Sequence, residues 1–141
     1  MAASIPAIHF EFICVVWGPS FTDLLLKVGI PSQLASGNLP SFRYRETSSY
    51  IIYTTSKDAE AITASPAFGM LSRYIHTEIR LIDDIDLGRN RYGIVSECQM
   101  RALTAAEGTE TAFVWPCPDM IFADGAFTAM ANIAATGKRA I

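Results

Sequence analysis

Hydrophobic and polar positions change period several times along this chain, and each change marks an element. From Ile8 the apolar residues alternate, with Ile8, Phe10 and Phe12 set against His9 and Glu11, and the run then turns wholly apolar from Ile13 to Trp17. A strand covered on both faces reads this way. Gly18 and Pro19 stop it. Ser20 is placed to cap a helix whose Phe21, Leu24, Leu25 and Val28 form one apolar stripe, and Gly29 and Pro31 are expected to end it. A second short helix is predicted from Pro31 to Ala35, followed by turn chemistry over Gly37-Asn38-Leu39-Pro40. Tyr50 to Thr54 is β-branched and aromatic with almost no alternation, which predicts another strand covered on both faces.

Ser56-Lys57-Asp58 opens a helical stretch to about Tyr74 with a break at Ser65-Pro66, where Pro66 suits the first position of a new helix. Thr77 to Ile82 alternates instead, Ile79 and Leu81 against Glu78 and Arg80, the pattern of a half-exposed edge strand. Arg91 to Glu107 is predicted helical, since Ile94, Val95, Cys98, Ala102 and Ala105 share one face and Gly108 is a stop. Thr111 to Trp115 is a fourth strand, Ala126 to about Thr136 a small-residue helix, and Gly137 to Ile141 the onset of a further strand. Strand and helix thus alternate four times, which predicts an α/β fold of three layers around a mostly parallel, Rossmann-like sheet. The expected strand order is 3-2-1-4, with Thr77 to Ile82 at the outer edge. In such sheets ligands lie outside the carboxyl ends of the strands, where strand order reverses.

Composition narrows the class. With 141 residues, 50% of them hydrophobic and 18% charged, the chain suits one compact domain spanning 1–141 that needs no structural zinc or disulfide. Eleven Lys and Arg against 14 Asp and Glu leave a formal charge of -3, so no positive field exists to hold a nucleic-acid backbone. Mean hydropathy is high at +0.26, yet the apolar run Phe12 to Trp17 falls far short of the roughly 20 residues that span a bilayer. No basic leader precedes an apolar stretch between Met1 and His9, so no secretory signal is expected. Cys14, Cys98 and Cys117 are odd in number and lack CxxC spacing, which suits reduced thiols and a cytoplasmic location.

Neither GxGxxG nor GxxxxGK[ST] occurs, and the Gly137-Lys138 pair enters a predicted strand rather than opening a helix. His9 and His76 stand at the amino ends of predicted strands, away from the expected ligand edge. Past the carboxyl ends lie Trp17-Gly18-Pro19, Thr54-Thr55-Ser56, Asp83-Asp84-Ile85-Asp86 and Cys117-Pro118-Asp119. The aspartate cluster reads either as a Mg²⁺ or Mn²⁺ site or as a solvated acidic turn, and its place after an edge strand favours the turn. Asp119 follows an interior strand and is better placed for a ligand. Asp124, ahead of Gly125, reads as a helix cap or as a ligand group. Trp17 reads as a base-stacking platform or as core, and Cys117, with no histidine to activate it, as a small buried thiol.

Four segments then carry a resemblance: Val15-Val16-Trp17-Gly18, Pro31 through Pro40 with its Asn38-Leu39-Pro40, Tyr50-Ile51-Ile52-Tyr53-Thr54-Thr55, and Pro118-Asp119-Met120-Ile121-Phe122-Ala123-Asp124-Gly125. In order and spacing, over nearly the whole chain, they resemble the amino-terminal half of bacterial GT-A-fold glycosyltransferase-like proteins. The resemblance implies a domain that binds a nucleotide-diphosphate sugar, with Trp17, Gly18, Thr54 and Thr55 lining the nucleotide pocket. It also implies a divalent cation, Mg or Mn, bridging the diphosphate to an Asp-x-Asp motif. Asp119 matches the last aspartate of that motif, and Cys117 stands where the first would be. The acceptor-binding half of such enzymes has no counterpart before Ile141, so the implied partners are a nucleotide sugar and either that missing half or a second copy of the chain. Two functions follow as expectations. One is the donor-binding part of a glycosyltransferase, inactive alone and with no base to name; the other is a non-catalytic binding or assembly module on the same scaffold, which Cys117 favours.

Overall fold

The computed structural model describes residues 7–139. At its centre β1 (His9–Val15), β2 (Ser49–Thr54), β3 (His76–Leu81) and β4 (Thr111–Val114) form one parallel sheet in the order β3-β2-β1-β4. This is the order that alternating strands and helices predict, with the amphipathic strand at the edge. Phe12 lies opposite Tyr50 on one neighbour and Val114 on the other, which fixes the register across β1. The burial of each strand follows its sequence: β1 and β2 are almost entirely buried, while β3 is half-buried along its middle and exposed at both ends.

Because side chains alternate across a pleated strand, β1 and β2 feed two separate cores. Phe10, Phe12, Cys14, Tyr50 and Ile52 point to one, where they meet Leu25, Ile30, Ile62, Leu71 and Phe127. Ile13, Val15, Ile51 and Tyr53 point to the other, against Ile94, Cys98 and Ala102. The first face is covered by α1 (Pro19–Leu24), α2 (Ile30–Gln33), α3 (Ser56–Thr63), α4 (Pro66–Tyr74) and α6 (Ala126–Ala134), the second by α5 (Arg91–Ala105). The result is a three-layer, Rossmann-like α/β fold. Among the described residues no helix is long and apolar enough to cross a membrane.

The break between α3 and α4 falls at Ser65-Pro66 as expected, with the Ser65 hydroxyl accepting from the Phe68 N–H. Three expectations are corrected. Ser20 caps nothing: Gly18, at φ 83°, occupies the cap position and Pro19 begins α1. Nor do Gly29 and Pro31 end the helix. Leu25–Gly29 forms a π-helical turn that joins α1 to α2, and the Ile30 N–H reaches back to the Leu25 carbonyl. That wider turn makes room where Pro31, which has no N–H to give, would otherwise press on the Lys27 carbonyl. Finally, Gly137 to Arg139 form no strand. The rest of that expected strand, Ala140 and Ile141, lies outside the described residues, as do Met1 to Pro6 of the segment expected to carry no leader.

The segment after β4 is tied down by the turn over Gly37 and Asn38. Asn38 is fully buried, and its amide donates to the carbonyls of Ser32 (2.9 Å) and Ala123 (3.1 Å) while accepting from the Phe127 N–H (3.0 Å). Asp124, read from sequence as a possible helix cap, instead accepts from the Gly37 N–H at 2.7 Å, and Gly125 takes the cap position of α6. Asn38→Ala strands one buried donor and two carbonyls, so it is expected to cost about 3 kcal/mol, read as a lower urea midpoint.

Candidate functional site

Strand order reverses at β1: β2 and β3 lie to one side of it, and β4, reached through α5 on the opposite face, lies to the other. A crevice at such a point is where ligands bind in sheets of this kind. Here it is a cleft of about 530 Å³, lined by Trp17 and Phe21 after β1, by Cys117, Pro118 and Asp119 after β4, and by Leu87, Arg89, Arg91 and Tyr92 at the approach to α5. A smaller cleft of about 350 Å³ adjoins it, sharing Trp17 and Leu87 and adding Gly18, Thr55, Lys57 and Asp58. Trp17 therefore forms a half-buried wall between the two.

Each wall is held in place by identifiable bonds. Asp58 accepts from the Gly18 N–H (2.9 Å) and the Thr55 hydroxyl (2.7 Å), which locks the turn after β1 to the start of α3. Thr55 in turn caps α3, accepting from the Asp58 N–H. On the far side Gly29 packs so closely that a Cβ there would stand 2.9 Å from the Pro118 carbonyl oxygen, and the Ser32 hydroxyl accepts from the Phe122 N–H at 3.1 Å. The π-helical turn thus presents the small residue that lets the Cys117-Pro118-Asp119 segment close the cleft.

Of the residues singled out from sequence, Trp17, Gly18, Thr55 and Asp119 line these clefts. Thr54 does not: it is fully buried, because its side chain follows Tyr50 and Ile52 in the alternation and points into the sheet's covered face. Cys117 is exposed in the cleft rather than buried, since it lies beyond the last residue of β4. Cys14 and Cys98 are the buried thiols; burial pushes Cys14 far up and Cys98 to about 11, so neither is a nucleophile. His9 and His76 begin β1 and β3, on the opposite side of the sheet from the cleft.

The aspartates after β3 go separate ways. Asp83 accepts from the Ser56 N–H and hydroxyl, Asp84 from Arg101, and Asp86 from the Gly88 N–H. Among the described residues no three His, Cys, Asp or Glu side chains converge to hold a metal. Mg²⁺ and Mn²⁺ want several oxygen ligands. The larger cleft offers one carboxylate, Asp119, beside a thiol and two guanidinium groups, and this donor set does not fit such a cation.

Sequence reasoning missed Arg89, Arg91 and Tyr92. Arg91 is the first residue of α5, capped by Asn90, whose side-chain oxygen accepts from the Tyr92 N–H at 2.9 Å. A cation at a helix N-terminus opposes the helix dipole, and two arginines flanking a helix cap were the available signal. Tyr92 is 75% exposed. Arg91 lies over the Phe21 ring, 5.7 Å from its centroid, and has no carboxylate partner among the described residues. Arg89 is held differently. It donates to Glu97 at 2.8 Å; Glu97 also accepts from Arg101 at 2.9 Å, and Arg101 grips Asp84 with two bonds of 2.7 and 3.1 Å. Charges of alternating sign thus run along α5 and end at the cleft.

No protein-family model matches the sequence, and no curated protein or solved structure matches it.

Arg101, more than any other neighbour, holds both Asp84 and Glu97 below their ordinary values, with Arg89 adding to the effect on Glu97. Their lowered folded values mean that the network's contribution is complete above the ordinary carboxyl range and is lost as pH falls through those values. Carbon-detected NMR titration is expected to show both carboxyls protonating at lower pH than free Asp and Glu, and Arg101→Gln to return both towards ordinary behaviour.

Proposed function

We propose that the cleft binds a nucleotide-diphosphate sugar. One observation carries the reading: the crevice where strand order reverses joins aromatic surfaces, Trp17 and Tyr92, to the guanidinium of Arg91, which has no carboxylate partner among the described residues. A nucleoside diphosphate needs that combination, a flat apolar face for the base and cationic donors for the phosphates. The volume of about 530 Å³ lies within the usual range for small-molecule sites. The smaller cleft, with Lys57 and the backbone at Gly18, extends the surface beyond Trp17 for the remainder of the ligand. Three unpaired cysteines suit a reducing compartment such as the cytoplasm.

Whether the bound donor is also cleaved divides this reading in two. Sugar transfer with inversion asks for a carboxylate free to take a proton from an acceptor. Asp58 is committed to Gly18 and Thr55, and Asp119, exposed at the lip, is the remaining carboxylate of the two linings. That shortage favours binding without transfer by these residues alone.

Thermal denaturation with uridine, guanosine and adenosine diphosphates tests the reading. A true ligand at about 100 times its dissociation constant adds ~2.7 kcal/mol to stability. Tyr92→Ala is expected to weaken the bound diphosphate roughly 5- to 100-fold, the worth of one base stacked on one aromatic ring, and to leave the ligand-free melting temperature unchanged. No shift with any of the three abandons the nucleotide site. Release of the nucleoside diphosphate from nucleotide sugars then separates transfer from binding alone.

A further inference from the structure

Resting on the nucleotide reading, we infer that this chain takes the diphosphate on the guanidinium groups of Arg91 and Arg89, with no divalent cation between protein and phosphate. The charge of the cleft leads there first. Arg91 has no carboxylate partner among the described residues and Arg89 keeps N–H groups beyond its bond to Glu97, so a diphosphate meets unspent cationic donors, whereas a divalent cation meets those same charges with Asp119 as the one carboxylate of the lining. The ligand chemistry agrees: a lone exposed carboxylate and a soft thiol are poor company for Mg²⁺ or Mn²⁺, whereas guanidinium forks match phosphate oxygens two at a time.

Geometry assigns the two arginines different duties. Arg91 lies over Phe21, an arrangement that leaves the in-plane N–H groups at the guanidinium edge free to donate. Arg89 spends one N–H on Glu97 and keeps the others. Glu97 is a positioning residue, because its second oxygen is fixed by Arg101, itself anchored on Asp84. This chain of three ion pairs holds Arg89 at the lip of the cleft before any ligand arrives, so less ordering remains to be done on binding.

Isothermal titration with pyrophosphate and with uridine and guanosine diphosphates, in EDTA and then in Mn²⁺, reads this directly. The expected result is binding of at least one diphosphate in EDTA, with an affinity that Mn²⁺ changes by less than about twofold and that falls steeply with salt. Arg91→Ala should weaken it roughly tenfold or more, the loss of a charge-assisted pair of hydrogen bonds. Glu97→Gln should weaken it less, and Asp119→Asn should leave it equal or tighter. Arg91 is exposed, so its variant is expected to melt as the parent does. Binding that requires Mn²⁺ and disappears in Asp119→Asn overturns this inference and leaves the nucleotide reading standing. Unchanged affinity in both Arg91→Ala and Arg89→Ala overturns it too. Failure of every nucleoside diphosphate to bind, with or without Mn²⁺, removes the reading beneath it and this inference together.

Discussion

β1 is buried on both faces, and most of the architecture follows from the need to cover it. Phe10, Phe12 and Cys14 face one core while Ile13 and Val15 face the other. A strand whose carboxyl-terminal half has no polar face requires hydrogen-bonding neighbours on both edges and a layer over each side. β2 and β4 supply the edges. Covering the second side obliges the chain to leave β3 at the outer edge, lay α5 across the sheet and return at β4. The cleft is the by-product of that path, since it opens beyond the ends of β1 and β4 where α5 approaches from the opposite layer.

The two walls of the cleft depend on different kinds of force. On the side of the first core the positioning is short-ranged: a close approach at Gly29, amide and hydroxyl bonds from Asn38 and Ser32, and the Asp58 and Asp124 carboxylates each taking a backbone N–H. On the side of α5 it is ionic, an alternating series from Asp84 to Arg89 at the surface. Salt screens the ion pairs of the second more than the bonds of the first. The cleft is therefore stiff on one side and electrically adjustable on the other.

Much of this fold was legible in the chain because its burial is so uneven. Ile13 to Trp17 and Tyr50 to Thr54 have no polar alternation, while Glu78 and Arg80 break up β3, and these differences alone order the sheet. What escaped depended on contacts between distant residues. Pro31 reads as a stop unless the π turn before it is known, and Asp124 reads as a cap unless Gly37, 87 positions away, is seen to claim it. The site divides the same way. Trp17, Gly18, Thr55 and Asp119 sit directly after strands, where the strand-end rule finds them. Arg89, Arg91 and Tyr92 do not, because a loop of nine residues separates β3 from α5 and carries them back over the crevice. Thr54 failed for a local reason, the parity of the pleat. The segments that carried the glycosyltransferase resemblance proved to be joined: Asn38 and Gly37 of one bond to Ala123 and Asp124 of the other.

The π turn at Leu25–Gly29 constrains how the length of this chain can vary. A π turn holds one residue more than the regular helix would, so deleting a residue there would restore ordinary α-helical bonding and rotate everything after it by about 100°. Gly29 would no longer face Pro118, and Ser32 would leave Phe122. The exposed turn from Glu107 to Glu110, between α5 and β4, is by contrast a surface connection whose length is cheap to alter. When sequences are aligned to this one, gaps belong in connections of that kind; a gap inside the π turn would imply a rebuilt far wall of the cleft.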